Sequence, residues 1–205
     1  EMYAVARQAL AGRPDAPALP DEPTPDQQQA AITAALALAS AERPAPDGIV
    51  DYARATLEET TAFVRAKNFV SMPEEPLEII VMPVFQRGVA LAYCDSPGPL
   101  DKGQRTFYAV SPLPADWTEA QVYSFLREYS KRSIANLTIH EAMPGHYLQI
   151  AHSNHYPSVL RAMLRSGPFI EGWAVYAERV MREQGFRGDD PLMKLVQLKW
   201  YLRAV

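Results

Sequence analysis

His140-Glu141-Ala142-Met143-Pro144-Gly145-His146-Tyr147-Leu148-Gln149 holds two of the four histidines of this chain, and His152 and His155 follow closely. Two imidazoles with a carboxylate beside the first are the parts a zinc hydrolase needs: neutral nitrogen ligands, and a base that takes a proton from water activated by the ion. The nearest mechanistic pattern, His-Glu-x-x-His on one helix, places its histidines four positions apart, whereas here they are six apart. On a regular helix that spacing sets the side chains about 120° apart in azimuth and about 9 Å apart along the axis, too divergent for one ion. Pro144 lacks an N–H and its ring clashes with the His140 carbonyl, while Gly145 tolerates backbone angles that other residues avoid. A widened or looped-out turn is therefore expected at Pro144-Gly145, bringing both imidazoles onto a common ion with Glu141 aimed at the water. The alternative is that Pro-Gly ends one helix and starts another, with the histidines satisfied by ordinary hydrogen bonds.

A third ligand is available downstream. Gly167 to Met181 reads as a helix with Pro168 near its start and Gly185 as its stop, and Ile170, Ala174, Ala177 and Met181 recur at helical spacing. Glu171 and Glu178 share a face but lie about 10 Å apart along it, so one ion can take only one of them. Glu171 is the expected ligand, because it sits near the helix start beside Gly172, which would leave room for close helix approach. Glu178 is then expected to orient a ligand or to pair with an arginine such as Arg179 or Arg182.

The run from His140 to Gln149, followed by Glu171-Gly172-Trp173-Ala174-Val175-Tyr176-Ala177-Glu178, resembles the bacterial family catalogued as domain of unknown function 885. Its members are regarded as zincin-like metallopeptidases with a glutamate as third ligand. The resemblance implies His140 and His146 as ligands, Glu141 as base and Glu171 as third ligand, and it implies no particular substrate. Family members are much longer, so it also implies a fragment whose cleft continues beyond Val205.

The composition excludes other classes. A net charge of −4 with scattered basic residues gives no nucleic-acid footprint, and no apolar run approaches the ~20 residues of a membrane span. The single cysteine, Cys94, rules out an internal disulfide and reads as a half-buried strand residue.

Along the chain, proline-rich connectors separate helices expected from Thr24 to about Ala41 and from Ile49 to Lys67. Leu77 to Met82, Val89 to Cys94 and Thr106 to Val110 read as three strands of a small antiparallel sheet. A helix follows from a Thr118 capping box to about Arg132, with Ser133 to Ile139 leading into the motif. The expected architecture is α+β, mainly helical, with a zincin-like catalytic region. Residues 1–70 form a helical part and residues 71–205 a metal-binding part of one continuous unit truncated at both ends. Gln149, Tyr147, Tyr93, Phe107 and Tyr108 are candidates to line the cleft or support the ligands, while His152 and His155 are expected to lie outside the ligand set. The expected function is Zn2+-dependent hydrolysis of a peptide or peptide-like substrate. The rival readings are a non-catalytic zincin-like binding module and a zinc hydrolase of other amides or esters. Oligomeric state and compartment are not legible.

Overall fold

Local signals set the helix starts. A computed structural model describes residues 1–88, 90–101 and 103–202. It places α1 at Met2–Leu10, α2 at Pro25–Ala39 and α3 at Ile49–Lys67. Thr24 accepts from the Gln27 N–H while the Gln27 side chain accepts from the Thr24 N–H, closing a capping box ahead of Pro25. α3 stops where Asn68 takes a left-handed conformation at φ 50°. The helix expected from Thr118 to Arg132 is two helices: α4, Glu119–Glu128, and α5, Lys131–Glu141. The break falls at Tyr129 because Ser130 supplies a new N-cap, its hydroxyl accepting from the Ser133 N–H. α6 (His146–His155), the short α7 (Val159–Met163), α8 (Gly167–Glu183) and α9 (Pro191–Tyr201) follow. Asp190 caps α9 by accepting from the Leu192 N–H, and the end expected for this helix at Val205 lies outside the described residues.

The fold is α+β, mainly helical, with one three-stranded mixed sheet of β1 (Leu77–Val81), β2 (Ala92–Asp95) and β3 (Thr106–Val110). The antiparallel expectation holds for only one of its two pairings. β2 runs antiparallel to β3, with Ala92 opposite Val110 and Asp95 opposite Phe107, but β1 runs parallel to β3, with Leu77 opposite Thr106 and Val81 opposite Val110. Burial explains the order β1-β3-β2. Thr106, Tyr108, Ala109 and Val110 are buried, whereas β1 is only half-buried and ends exposed, so β3 takes the centre. The connection between β1 and β2, which includes a 3-10 turn at Val84–Gln86, bridges the two strand spacings that this order demands. The start expected for the second strand at Val89 lies outside the described residues.

α5 is the axis of the molecule. Every residue from Ser133 to Ile139 is buried, so the helix is enclosed on all sides by α3, β2, α8 and α9. Ile134 and Leu137 join the core under the sheet, with Tyr108, Val110 and Ile49. Ala135 and Ile139 join a second core with Tyr147, Leu148, Ala177 and Met181. A third core, Val5, Ala6, Ala31, Ala35 and Leu195, ties α1 and α2 to α9. Among the described residues, no helix is long and apolar enough to cross a membrane.

Candidate metal centre

The end of α5 and the start of α6 converge because the chain turns within the four residues between them. α5 stops at Glu141, the Met143–Pro144 peptide is cis, and α6 begins at His146 with Gly145 before it. The backbone thus follows the alternative of two separate helices rather than a bulge within one. The histidines nevertheless meet. Their rings are 4.8 Å apart, centroid to centroid, at an interplanar angle of 88°. Gly145 makes this possible, since a Cβ there would sit far inside contact distance of the carbonyl oxygens of Ile139 and His140. Trp173 on α8 donates its Nε1–H to the Pro144 carbonyl at 2.9 Å, pinning the turn from the other side.

α8 supplies the third group. Glu171 Oε2 lies 3.7 Å from Nε2 of His140 and 3.7 Å from Nε2 of His146, and one ligand atom from each of the three residues falls within 4.8 Å of the others. Tetrahedral zinc with ligand bonds of 2.0–2.2 Å separates its ligand atoms by about 3.4 Å. The Glu171 oxygen is already near that spacing from both imidazoles, so closing the set on an ion asks chiefly that the His140 and His146 rings draw together, with Glu171, 67% exposed, turning to follow. Two imidazole nitrogens and one carboxylate oxygen suit zinc, and the exposure of Glu171 leaves an open side for water. The room expected beside Gly172 is not what admits this approach: a Cβ there would meet nothing, and the tight contact is at Gly145.

Glu178 meets the His140 imidazole and not an arginine. Its carboxylate is buried, with Oε1 2.7 Å from Nδ1 of His140 and Oε2 accepting from Nδ2 of Asn136 at 2.8 Å. Arg179 pairs instead with Glu183, and Arg182 donates to Gln197. The carboxylate fixes the His140 ring with Nε2 toward Glu171. Burial would depress His140, but the hydrogen bond to Glu178 and the nearby carboxylate charges outweigh it and hold the imidazole above its usual range. His146 goes the other way. Burial, helped by the His140 charge, lowers it to about 4, so its ring is neutral and able to donate a lone pair at neutral pH.

Glu141 follows His140 on the same turn of α5. Burial pushes its carboxyl up to about 7, against the pull of His140 and of the Cys94 N–H, which donates to Oε2 at 3.2 Å. A carboxylate tuned near neutrality can both accept and return a proton.

The remaining candidates separate. Tyr108 is fully buried on the central strand and shares a hydrogen bond of 3.1 Å with Thr138, so it is a core residue and not a cleft residue. β-strand alternation explains this, since it sends Tyr108 to the face against α5 and leaves Phe107 half-buried on the other. Tyr147 is also buried, in the second core, with its hydroxyl donating to the Glu75 carbonyl; it packs rather than serving the ligands. Tyr93 stands half-buried on β2, with its hydroxyl on the Gln86 side chain. Gln149 is buried one turn beyond His146, donating Nε2 to Ser153 at 2.6 Å. His152 and His155 lie apart from the ligand set, on the Ser71 carbonyl at 2.9 Å and on Glu75 at 2.5 Å. Sequence reasoning missed Asn136, although its place one helical turn before His140 on the same face was available as a signal. It also missed Trp173.

The family described as "Bacterial protein of unknown function (DUF885)" matches residues 1–205. No curated protein matches the chain significantly. Among solved structures, a candidate lipoprotein of unknown function from Shewanella oneidensis is 34% identical with a TM-score of 0.80, over 98% of this chain and 35% of that one. A candidate lipoprotein from Colwellia psychrerythraea is 22% identical with a TM-score of 0.71, over 98% of this chain and 32% of that one, and its likeness concerns the fold alone. The chain thus spans about a third of the length of each. It belongs to the DUF885 family.

Proposed function

We propose that this member of the DUF885 family is a zinc-dependent hydrolase of peptide bonds, built in the manner of the zincins with a glutamate as third ligand. The observation that carries the reading is the meeting of His140, His146 and Glu171 near ligand range beside a half-buried carboxylate, Glu141, held near neutrality. Bound zinc would supply Lewis acidity, polarising a carbonyl and easing the ionisation of water. The chain does the rest. Glu178 and Asn136 hold the His140 ring in register. Burial keeps His146 neutral. Glu141 takes the proton from the attacking water and passes it to the departing amine, so that an amine rather than an amide anion leaves.

Metal analysis of the purified protein, joined to a peptide-library digest, tests this. The expected result is about one zinc per chain, lost in His140→Ala and in His146→Ala, and cleavage abolished in Glu141→Gln with zinc retained. Absence of zinc at micromolar supply refutes the metal centre, and undiminished cleavage by Glu141→Gln refutes the base.

A further inference from the structure

The helix that carries His146, the start of the helix that carries Glu171, and α7 line a cavity of about 350 Å3. Gln149 and Ser153 line it from α6, about one and two turns beyond His146, and Ile170 and Phe169 line it from α8, directly before Glu171. The cavity therefore neighbours the candidate ligands along both helices, although none of the three lines it. A substrate whose scissile bond lay at the ligands would send a neighbouring residue into it.

The chemistry of its lining is one-sided. Arg161 and Arg165 both face the cavity, no acidic side chain lines it, and among the described residues neither guanidinium has a carboxylate partner. Arg161 is held in place by stacking over Tyr156, 4.3 Å from the ring centroid. The first turn of α8 also borders the cavity, carries no acidic residue, and presents the positive end of a 17-residue helix. Inside, Gln149 is 7% exposed and its Oε1 has no hydrogen-bond partner, while its Nε2 is spent on Ser153. Turning the amide end for end lets the Ser153 hydroxyl donate to Oε1 and frees the NH2 to donate elsewhere. Unmatched cations, a helix N-terminus and an amide able to present donors call for an anion, and the apolar walls of Phe169, Ile170 and Leu164 call for a carbon stem beneath it.

We propose that this cavity is the substrate subsite of the metal centre and that it receives a carboxylate of the peptide, either an acidic side chain beside the scissile bond or the free C-terminus. The assignment rests on the peptidase reading above. Binding is measured by calorimetry on the Glu141→Gln protein, so that cleavage does not intervene, with three matched N-acetylated pentapeptides. The first has a central glutamate and an amidated end, the second a central glutamine and an amidated end, and the third a central glutamine and a free C-terminal carboxylate.

At least one carboxylate peptide is expected to bind about tenfold more tightly than the neutral one, and the member favoured identifies the source of the carboxylate. Adding Arg161→Gln and Arg165→Gln removes that advantage, while the melting temperature and the affinity for the neutral peptide stay put. Equal binding of all three peptides, an advantage that survives the double arginine replacement, or no binding at millimolar peptide overturns the proposal. Carboxylate preference without cleavage of any peptide by the unmutated protein sinks the hydrolase and leaves the anion site. Cleavage without the preference does the reverse.

Discussion

Glu178→Gln separates the charge at the back of the metal centre from its shape. The wild-type carboxylate is buried at 2% exposure, bonded at 2.7 Å to Nδ1 of His140 and at 2.8 Å to Asn136 Nδ2. A glutamine of nearly equal volume can still accept from His140 with its Oε1. Its NH2 then faces Asn136, and the Asn136 amide answers by rotating, because its Oδ1 is buried without a partner and becomes the acceptor that the new NH2 needs. Packing and hydrogen bonds survive while the charge goes. The metal-free variant should therefore melt within a few degrees of wild type, since exchanging a buried charge for a satisfied neutral group is often close to neutral. Zinc affinity should fall 10–100-fold, the usual cost of losing the group that orients a ligating histidine, or about 1.4–2.7 kcal/mol. Competition against a chromophoric chelator reads this directly. A zinc affinity within twofold of wild type, with the fold intact, would mean that the carboxylate does not tune His140 and would refute the reasoning.

Two further outcomes follow from the geometry. Gly145→Ala must displace backbone carbonyls rather than a flexible side chain, so it should cost several kcal/mol in denaturant unfolding and abolish zinc binding; wild-type stability would show that the α5–α6 turn is looser than described. Cys94, whose thiol burial pushes up to about 12, should resist iodoacetamide in the native protein at pH 8 and react promptly once unfolded, as mass spectrometry would show. Equal rates in the two states would contradict its burial.

The grouping of His140, His146 and Glu171 was legible from residue types, because two histidines, an adjacent glutamate and a later Glu-x6-Glu helix are the pattern that a shared ion would ask for. The manner of convergence was less so. Pro144-Gly145 announced a break, but whether a break splays two histidines or unites them depends on how closely two helix ends can approach, and that is a tertiary fact settled by Gly145 against the Ile139 and His140 carbonyls. Glu178 was readable as a residue near the histidines, whereas its hydrogen bonds to His140 and Asn136 were not, because helical spacing gives a direction and not the neighbour that waits there. Strand positions were readable to within a few residues. Strand order was not, since it is decided by which strand the rest of the molecule buries on both faces. Ser130 shows a signal present but outweighed: Ser-x-x-Ser is a cap when the chain breaks there and an ordinary polar pair when it does not.

The three candidate ligands sit on α5, α6 and α8, so an ion held among them would act as a staple across elements distant in sequence. Between the stapled points lie α6, α7 and the opening of α8, the same segments that wall the anion cavity. Loading the metal would thereby stiffen the walls of the groove, and withdrawing it with a chelator would let α6 and α8 part. Substrate grip and metal occupancy would then rise and fall together, even in a variant that performs no chemistry.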